Sequence, residues 1–473
     1  MRQFVVLSSL LLLGAAPPPS PDAKLRAIVA PVSVAQLKHT VEILVSFGTR
    51  HTLSSQTDPK RGIGAALSWA ESEFGRYSAA CGNCLTVGRA SDTFTGARVP
   101  TPTKITDVFA IQRGTERPND VVIITGHIDS RVTDIMNANA FEPGANDDGS
   151  GVATLMEAAR VLSKHKFPGT IVYAALMGEE QGLYGGKVMA AYAKAQGWNV
   201  IADLNNDIIG NSCSSDGVCD STHVRVFSEG PRWQGHEDLA AQQRSLGGEN
   251  DSPSRNFSRY LDSLADRLKI GLDVRQVWRN DRFGRGGDHS DFLDVGFPAV
   301  RLTVAVENYD WQHQDVRVEN GKHYGDTPDH MDFAYLAKVA KLNIAALAAM
   351  ASAPPPPEPK VEGAVATDTT VSFKPVAGAD DYIVRWRATD SNQWQHSNRG
   401  QPVKTGGCIR IEEVRIPQAR DLIGTYQCYL FHIRVDDWVF GVSSLSKDGF
   451  ESPVASAVPG GAFKPYVAPE KKP

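Results

Sequence analysis

Thr170–Met177 reads TIVYAALM, an uncharged run of branched and aromatic side chains with Pro168 and Gly169 before it and Gly178 after it. Such a run is a strand buried on both faces. It needs cover above and below, which commits this part of the chain to a layered α/β architecture. Related runs occur in DVVIITGHIDS (Asp120–Ser130), NVIADLNNDIIG (Asn199–Gly210) and FPAVRLTVAVENY (Phe297–Tyr309), and DVFAIQRG (Asp107–Gly114) alternates as a strand does. Between them lie helical patterns. Val34, Leu37, Val41 and Leu44 recur at helical spacing behind a Ser33 cap, a second helix covers about Gly64 to Tyr77, and Gly149–Lys166 and Gly185–Gln196 follow. The expected fold is α/β, with a mostly parallel central sheet flanked by helices.

SAPPPPEPK, from Ser352 to Lys360, marks a change of character. After it come short alternating strands between turn residues, with Tyr382 and Trp386 as core candidates, in a pattern that resembles a fibronectin type III domain. The expected division is a catalytic region over 20–351, a proline-rich linker over 352–360 and an all-β sandwich over 361–473. The opening residues, MRQFVVLSSLLLLGAAPPPS, have one arginine, an apolar core and small residues followed by prolines. They read as a signal peptide over 1–19 cut near Ala15 or Ala16, the alternative being an uncleaved anchor. The reading expects export to a periplasm or the extracellular space, with no membrane span after cleavage.

The 473 residues carry a net charge of −5 and no basic block, so a nucleic-acid surface is not expected. The six cysteines fall into local pairs: Cys81 with Cys84, Cys213 with Cys219, and Cys408 with Cys428. In an exported chain these are expected to be disulfides; CGNC could alternatively be a redox or zinc motif, but it lacks a thioredoxin-like context or a second CxxC.

The buried strands end alike. GHIDS places His127 and Asp129 on one face of an extended chain, TIVYAALM runs into Glu179 and Glu180, NND ends in Asp207, and the last strand leads to His313. PGANDDGSG adds Asp147 and Asp148 ahead of a helix. Open α/β sheets bind ligands at this carboxyl edge. Singly, each piece has a plain reading: adjacent glutamates at a solvated helix start, a structural histidine, a capped turn. Together, two histidines and three carboxylates make the donor set of two closely spaced divalent ions bridged by a carboxylate.

The ordered set GHIDS, PGANDDGSG, GEEQGLYG, NNDIIG and RGGDHSDFLDVGFPAVRL, followed by a histidine, resembles the co-catalytic zinc aminopeptidases. That family includes secreted bacterial leucyl-type aminopeptidases, and glutamate carboxypeptidases and the peptidase-like domain of transferrin receptors are related to it. The likeness spans about Ala35 to Met350 and takes in FGTRHT at Phe47–Thr52. It implies two zinc ions per chain, one held by His127, Asp147 and Asp207, the other by Asp147, Glu180 and His313. It further implies Glu179 as general base, Asp129 as the carboxylate that orients His127, and peptides with a free N-terminus as substrates. His323 and His330 compete with His313. His289 and Tyr309 are substrate-site candidates, Gln312 standing where some relatives have a tyrosine. A carboxypeptidase or another amidase of the same fold would need a basic pocket, for which Arg131, Arg282 and Arg285 are available; a non-catalytic binding scaffold is the third reading. The polar segment Gly230–Arg285 has the length and position of a lid. No partner is assigned to the C-terminal region.

Overall fold

The computed structural model describes residues 19–231, 241, 243, 245–399, 406–411 and 423–457. Apart from its last residue, the expected signal peptide lies outside them. The core is one eight-stranded sheet in the order β1-β2-β4-β3-β5-β8-β6-β7. Its strands are β1 Thr86–Gly96, β2 Val99–Gln112, β3 Arg117–His127, β4 Gly169–Leu176, β5 Asn199–Asn206, β6 His223–Ser228, β7 Asp273–Val277 and β8 Ala299–Val304. The central four, β4-β3-β5-β8, are parallel. Antiparallel pairings set in beyond them, β2 on β4 and β6 on β8. The sheet is therefore mixed, more so than the apolar runs suggested.

Register places the chemistry at one edge. His127 is opposite Leu176, Thr125 opposite Asn205 and Asn206 opposite Leu302, so the four parallel strands finish level. Every residue of β4 is buried, as a strand covered on both faces requires. Helices Val34–Ser46, Gly149–Leu162 and Phe333–Ser352 contribute Leu37, Val41, Val152, Leu155, Leu336 and Ile344 to the core. Phe333–Ser352 is long and apolar enough to cross a membrane, yet most of it is buried in this core. Helix caps follow the residue chemistry: Ser33 accepts the Gln36 amide at 3.3 Å and Asp148 accepts the Gly151 amide at 2.8 Å.

The lid expectation for Gly230–Arg285 gives way to regular structure. Helix Pro253–Leu268 and edge strand β7 fill much of it, with residues 232–240, 242 and 244 outside the described set. Beyond Ser352 the chain forms two four-stranded sheets around Val361, Val371, Phe373, Tyr382, Val384, Trp386, Phe440 and Val442. The proline segment between is packed rather than a free spacer: Ala353, Pro354, Pro357 and Pro359 are buried, and the Ala353 carbonyl accepts Arg117 Nη2 at 2.6 Å. All three cysteine pairs are disulfides.

Candidate metal centre

Strand β3 ends in His127 and continues to Asp129. The Asp129 carboxylate faces the turn that leaves β4: Oδ1 accepts the amides of Gly178 (2.9 Å) and Glu179 (3.3 Å), and Oδ2 accepts Glu180 (3.2 Å) and Thr52 Oγ1 (2.8 Å). Gly178 makes the turn at φ 93°, where a side chain would be strained. The carboxylate thus fixes the backbone of both glutamates. His127 Nδ1 instead meets the Asp129 carbonyl at 3.1 Å, with the nearer carboxylate oxygen at 3.6 Å. That refines the orienting role expected for Asp129: its main chain holds the ring while its side chain holds the glutamate turn.

Four more residues close on His127. Its Nε2 lies 3.1 Å from Asp147 Oδ1 and 3.9 Å from Asp207 Oδ1. The other Asp147 oxygen, Oδ2, lies 2.8 Å from His313 Nε2, which is 3.1 Å from Glu180 Oε1. One carboxylate therefore reaches a histidine with each oxygen. Of the three competing histidines, His313 is the one at the carboxylates; His323 is exposed, and His330 stacks on Trp311 at 4.3 Å. His313 has φ 57°, the left-handed region, which costs about 1–2 kcal/mol for a residue with a Cβ. Ile208, next to Asp207, has φ 60°.

Burial and charge dominate the site. Burial alone would lower the His127 imidazole, but Asp129 and Asp147 outweigh it and hold the pKa well above the usual value. The same balance, with Glu180 and Asp147, pushes His313 up to about 10. Burial would raise Asp147, yet His313 and His127 hold it well below the usual carboxylate range. Glu179 is raised well above that range by burial, with Glu180, Asp207 and Asp147 adding to the rise. Such a set of opposed donors suits a divalent ion that takes the place of protons. The hydrogen bonding agrees: His127 Nε2 and Glu180 Oε1 are buried and, although polar atoms lie 3.1 Å away, neither makes an aligned hydrogen bond, and His127, Asp147 and Glu180 offer ligand atoms within 4.8 Å of one another. Nitrogen and carboxylate oxygen donors are those zinc takes.

Several residues support the cluster through contacts that the sequence did not assign. Asp326 accepts the Asp147 amide at 2.7 Å and the Asn146 amide at 2.9 and 3.0 Å. Burial pushes it up to about 7, against the pull of those amides. Gln312 donates to Asp147 Oδ2 at 3.2 Å. Arg301, fully buried, binds Asp207 Oδ2 at 2.8 Å and Asp281 Oδ2 at 2.7 Å. Arg50 of the FGTRHT segment donates to the carbonyls of Ile128, Pro143 and Gly144, bracing the loop after β3. The arginines weighed for a carboxylate pocket are engaged. Arg131 binds Glu180 Oε2 at 2.9 Å and His313 Nδ1 at 2.5 Å, while Arg282 and Arg285 share Glu307 Oε2 at 3.1 and 3.2 Å. Neither substrate-site candidate joins the cluster. His289 is buried with Nε2 on the Asn280 carbonyl at 2.9 Å, and Tyr309 is 62% exposed, its amide bonded to Ser215.

The profile of peptidase family M28 matches residues 107–347, from β2 to helix Phe333–Ser352. The chain belongs to peptidase family M28. A probable zinc metalloprotease of Pyrenophora teres f. teres is 40% identical over 449 residues, 93% of this chain and 88% of that one. Another from Leptosphaeria maculans is 38% identical over 447 residues, 93% and 98% of the two chains. Among solved structures, the Legionella pneumophila LapA aminopeptidase aligns at a TM-score of 0.52 over 74% of this chain and 80% of that one, at 20% identity, which speaks for the fold. As an M28 member with these relatives, the chain is a zinc metallopeptidase.

Proposed function

We propose that this M28 member is an exported aminopeptidase that uses two zinc ions and a glutamate base to remove N-terminal residues from peptides. The observation that carries the reading is Asp147, one oxygen at His127 and the other at His313, at the centre of two donor sets. His127, Asp147 and Asp207 would hold one ion, and Asp147, Glu180 and His313 the other. Zinc bound there supplies a Lewis acid for the scissile carbonyl and lowers the pKa of the attacking water.

The chain's own residues do the rest. Glu179 takes the water proton on its carboxylate and returns it to the departing amine. Burial holds its pKa above the usual carboxylate range, which strengthens it as a proton acceptor. Asp129 fixes the Glu179 amide, so that base and ligand diverge from adjacent positions. The engagement of Arg131, Arg282 and Arg285 by the protein's own carboxylates favours the aminopeptidase over a carboxypeptidase. The C-terminal sheets fit a fibronectin type III-like module.

The test is zinc content together with hydrolysis of unblocked and N-acetylated aminoacyl amides and dipeptides, on wild type and Glu179→Gln. About two zinc ions per chain and cleavage confined to unblocked substrates, lost in a variant that keeps its metal, are expected. Equal cleavage of acetylated substrates would overturn the aminopeptidase reading. Full activity in Glu179→Gln would overturn the assignment of the base.

A further inference from the structure

Helix Pro253–Leu268 has two sides with different duties. Phe257, Leu261, Leu264 and Ala265 enter the core of the catalytic region. Asn256, Arg259 and Tyr260, at helical spacing on another face, meet the C-terminal sheets. Asn256 Nδ2 donates to Ser456 Oγ at 2.8 Å, Arg259 Nε to the Asn392 carbonyl at 2.8 Å and Tyr260 to the Glu451 carbonyl at 3.3 Å. Just before the helix, Asp251 accepts Arg387 Nη2 with both oxygens at 2.7 and 2.6 Å and Ser456 Oγ at 2.8 Å. Arg387 Nη1 also donates to the Ala388 carbonyl at 3.2 Å and the Ser391 carbonyl at 2.7 Å. Both charged side chains are buried. Separating such a desolvated pair would leave each charge buried without its partner, so the pair holds only in this one arrangement of the two regions. A module on a free tether has no use for one.

The contacts continue towards the metal centre. The Arg259 guanidinium, anchored on Asn392, lies 5.0 Å from the Trp278 ring centroid, and Arg255 lies 5.7 Å from it with Nη2 on the Trp278 carbonyl at 3.2 Å. Trp278 opens the loop that carries Asn280 and Asp281. Asn280 receives His289, and Asp281 binds Arg301, which binds Asp207.

We infer that the C-terminal sheets serve as an internal brace of the peptidase, with Arg259 as a positioning residue that sets the Trp278–Asp281 loop and, through Arg301, the carboxylate of Asp207. The inference rests on Asp207 being a metal ligand. It gives the C-terminal region a task within the reaction and accounts for the packed proline segment. Arg259 suits that task because its planar fork can hydrogen-bond Asn392 and Asn256 while its face covers an indole, which a lysine cannot reproduce.

The experiment uses the full chain carrying Arg259→Lys, with Asp207→Asn alongside. Zinc retention against a chelator, kcat and KM for an unblocked aminoacyl amide, and Tm are measured, the kinetics well below unfolding. The expected result for Arg259→Lys is zinc retention weakened about 10-fold and kcat reduced by a similar factor, with KM within about 2-fold. A lowered Tm with wild-type kcat and zinc retention would overturn the brace and leave a stabilising interface only. Should Arg259→Lys fail to fold, Ser456→Ala, which removes contacts to Asp251 and Asn256 from the far side, is expected to move kcat in the same direction by a smaller factor; an unchanged kcat there would overturn it equally. Asp207→Asn must lose metal. If it keeps both ions, the ligand assignment fails, whereas metal loss in Asp207→Asn with no effect in Arg259→Lys sinks the brace alone.

Discussion

Asp326 is the residue whose replacement should separate the frame of the metal centre from its ligands. Its carboxylate accepts the amides of Asp147 at 2.7 Å and of Asn146 at 2.9 Å, and its own carbonyl accepts the Ala145 amide at 3.0 Å. At pH above about 7, where the Asp326 carboxyl is ionised, Asp326→Ala takes a charged acceptor from two buried amides. A hydrogen bond to a charged group contributes about 1.5–3 kcal/mol, so two together should contribute about 3 kcal/mol or more. At roughly 2 °C per kcal/mol for a region of this size, Tm should fall by about 6 °C. Because the freed segment carries Asp147, zinc retention against a chelator should weaken about 10–100-fold, the usual effect of losing a residue that supports a ligand. Asp326→Asn keeps one acceptor oxygen and should lose about half as much stability. Thermal unfolding and chelator competition on the three proteins measure both quantities. The reasoning fails if Asp326→Ala holds zinc as wild type does, or if the asparagine variant is as damaged as the alanine one.

Arg301→Met leaves Asp207 and Asp281 buried without their shared cation and should cost about 3–5 kcal/mol; a wild-type melting curve for the purified variant would refute this. Replacing Cys408 and Cys428 by serine opens a loop with a sequence separation of 20, worth about 3 kcal/mol in the chain-entropy account, read by denaturant unfolding of the variant against the oxidised parent. Burial pushes Asp262 up to about 6, against the hydrogen bond it accepts from Gln276. A carboxyl whose folded pKa is raised contributes stability that is present below its unfolded pKa of about 4 and is lost as pH rises through about 6. Asp262→Asn should therefore gain on wild type as pH goes from 4 to 7, and a constant difference in Tm across that range would disprove the shift.

The fold was legible where burial is two-sided. TIVYAALM, DVVIIT and AVRLTV announce strands covered on both faces, and all three lie in the parallel centre of the sheet. Where one face is open or the segment is polar, the pattern weakens. Strand β1, Thr86–Gly96, alternates small and polar residues and is largely exposed, so it gave no apolar signal, although its register on β2 runs from Thr86–Ile111 to Gly96–Val99. Strand β1 was missed for that reason, and the sense of the β2 and β6 pairings, which makes the sheet mixed, leaves no mark in residue type. Helix Phe333–Ser352 shows the opposite failure. Apolar on nearly every side, it has little periodicity to detect, because it is packed on several faces at once.

Metal-binding chemistry was legible because the residue types that can bind an ion are few and stand at strand ends, which extended backbone brings level regardless of how far apart they are in the chain. His127, Glu180 and Asp207 gather for that reason at or just past the ends of β3, β4 and β5, while Asp147 comes from the turn before helix Gly149–Leu162 and His313 from the loop after β8. What holds them was not legible, because it is made of side chain to backbone contacts. Asp326 binds amides about 180 positions away, Arg50 binds three carbonyls, and Asp129 turns out to bind the backbone of the glutamates beside the histidine it was expected to orient. An amide or a carbonyl is present at almost every residue and so leaves no trace in residue type; only the fold says which one a carboxylate or guanidinium will meet. The same reasoning separates His313 from His323 and His330. All three are imidazoles within a short stretch, and the choice among them is made by a left-handed backbone at His313 and by Arg131 on its Nδ1, neither of which the sequence around it declares.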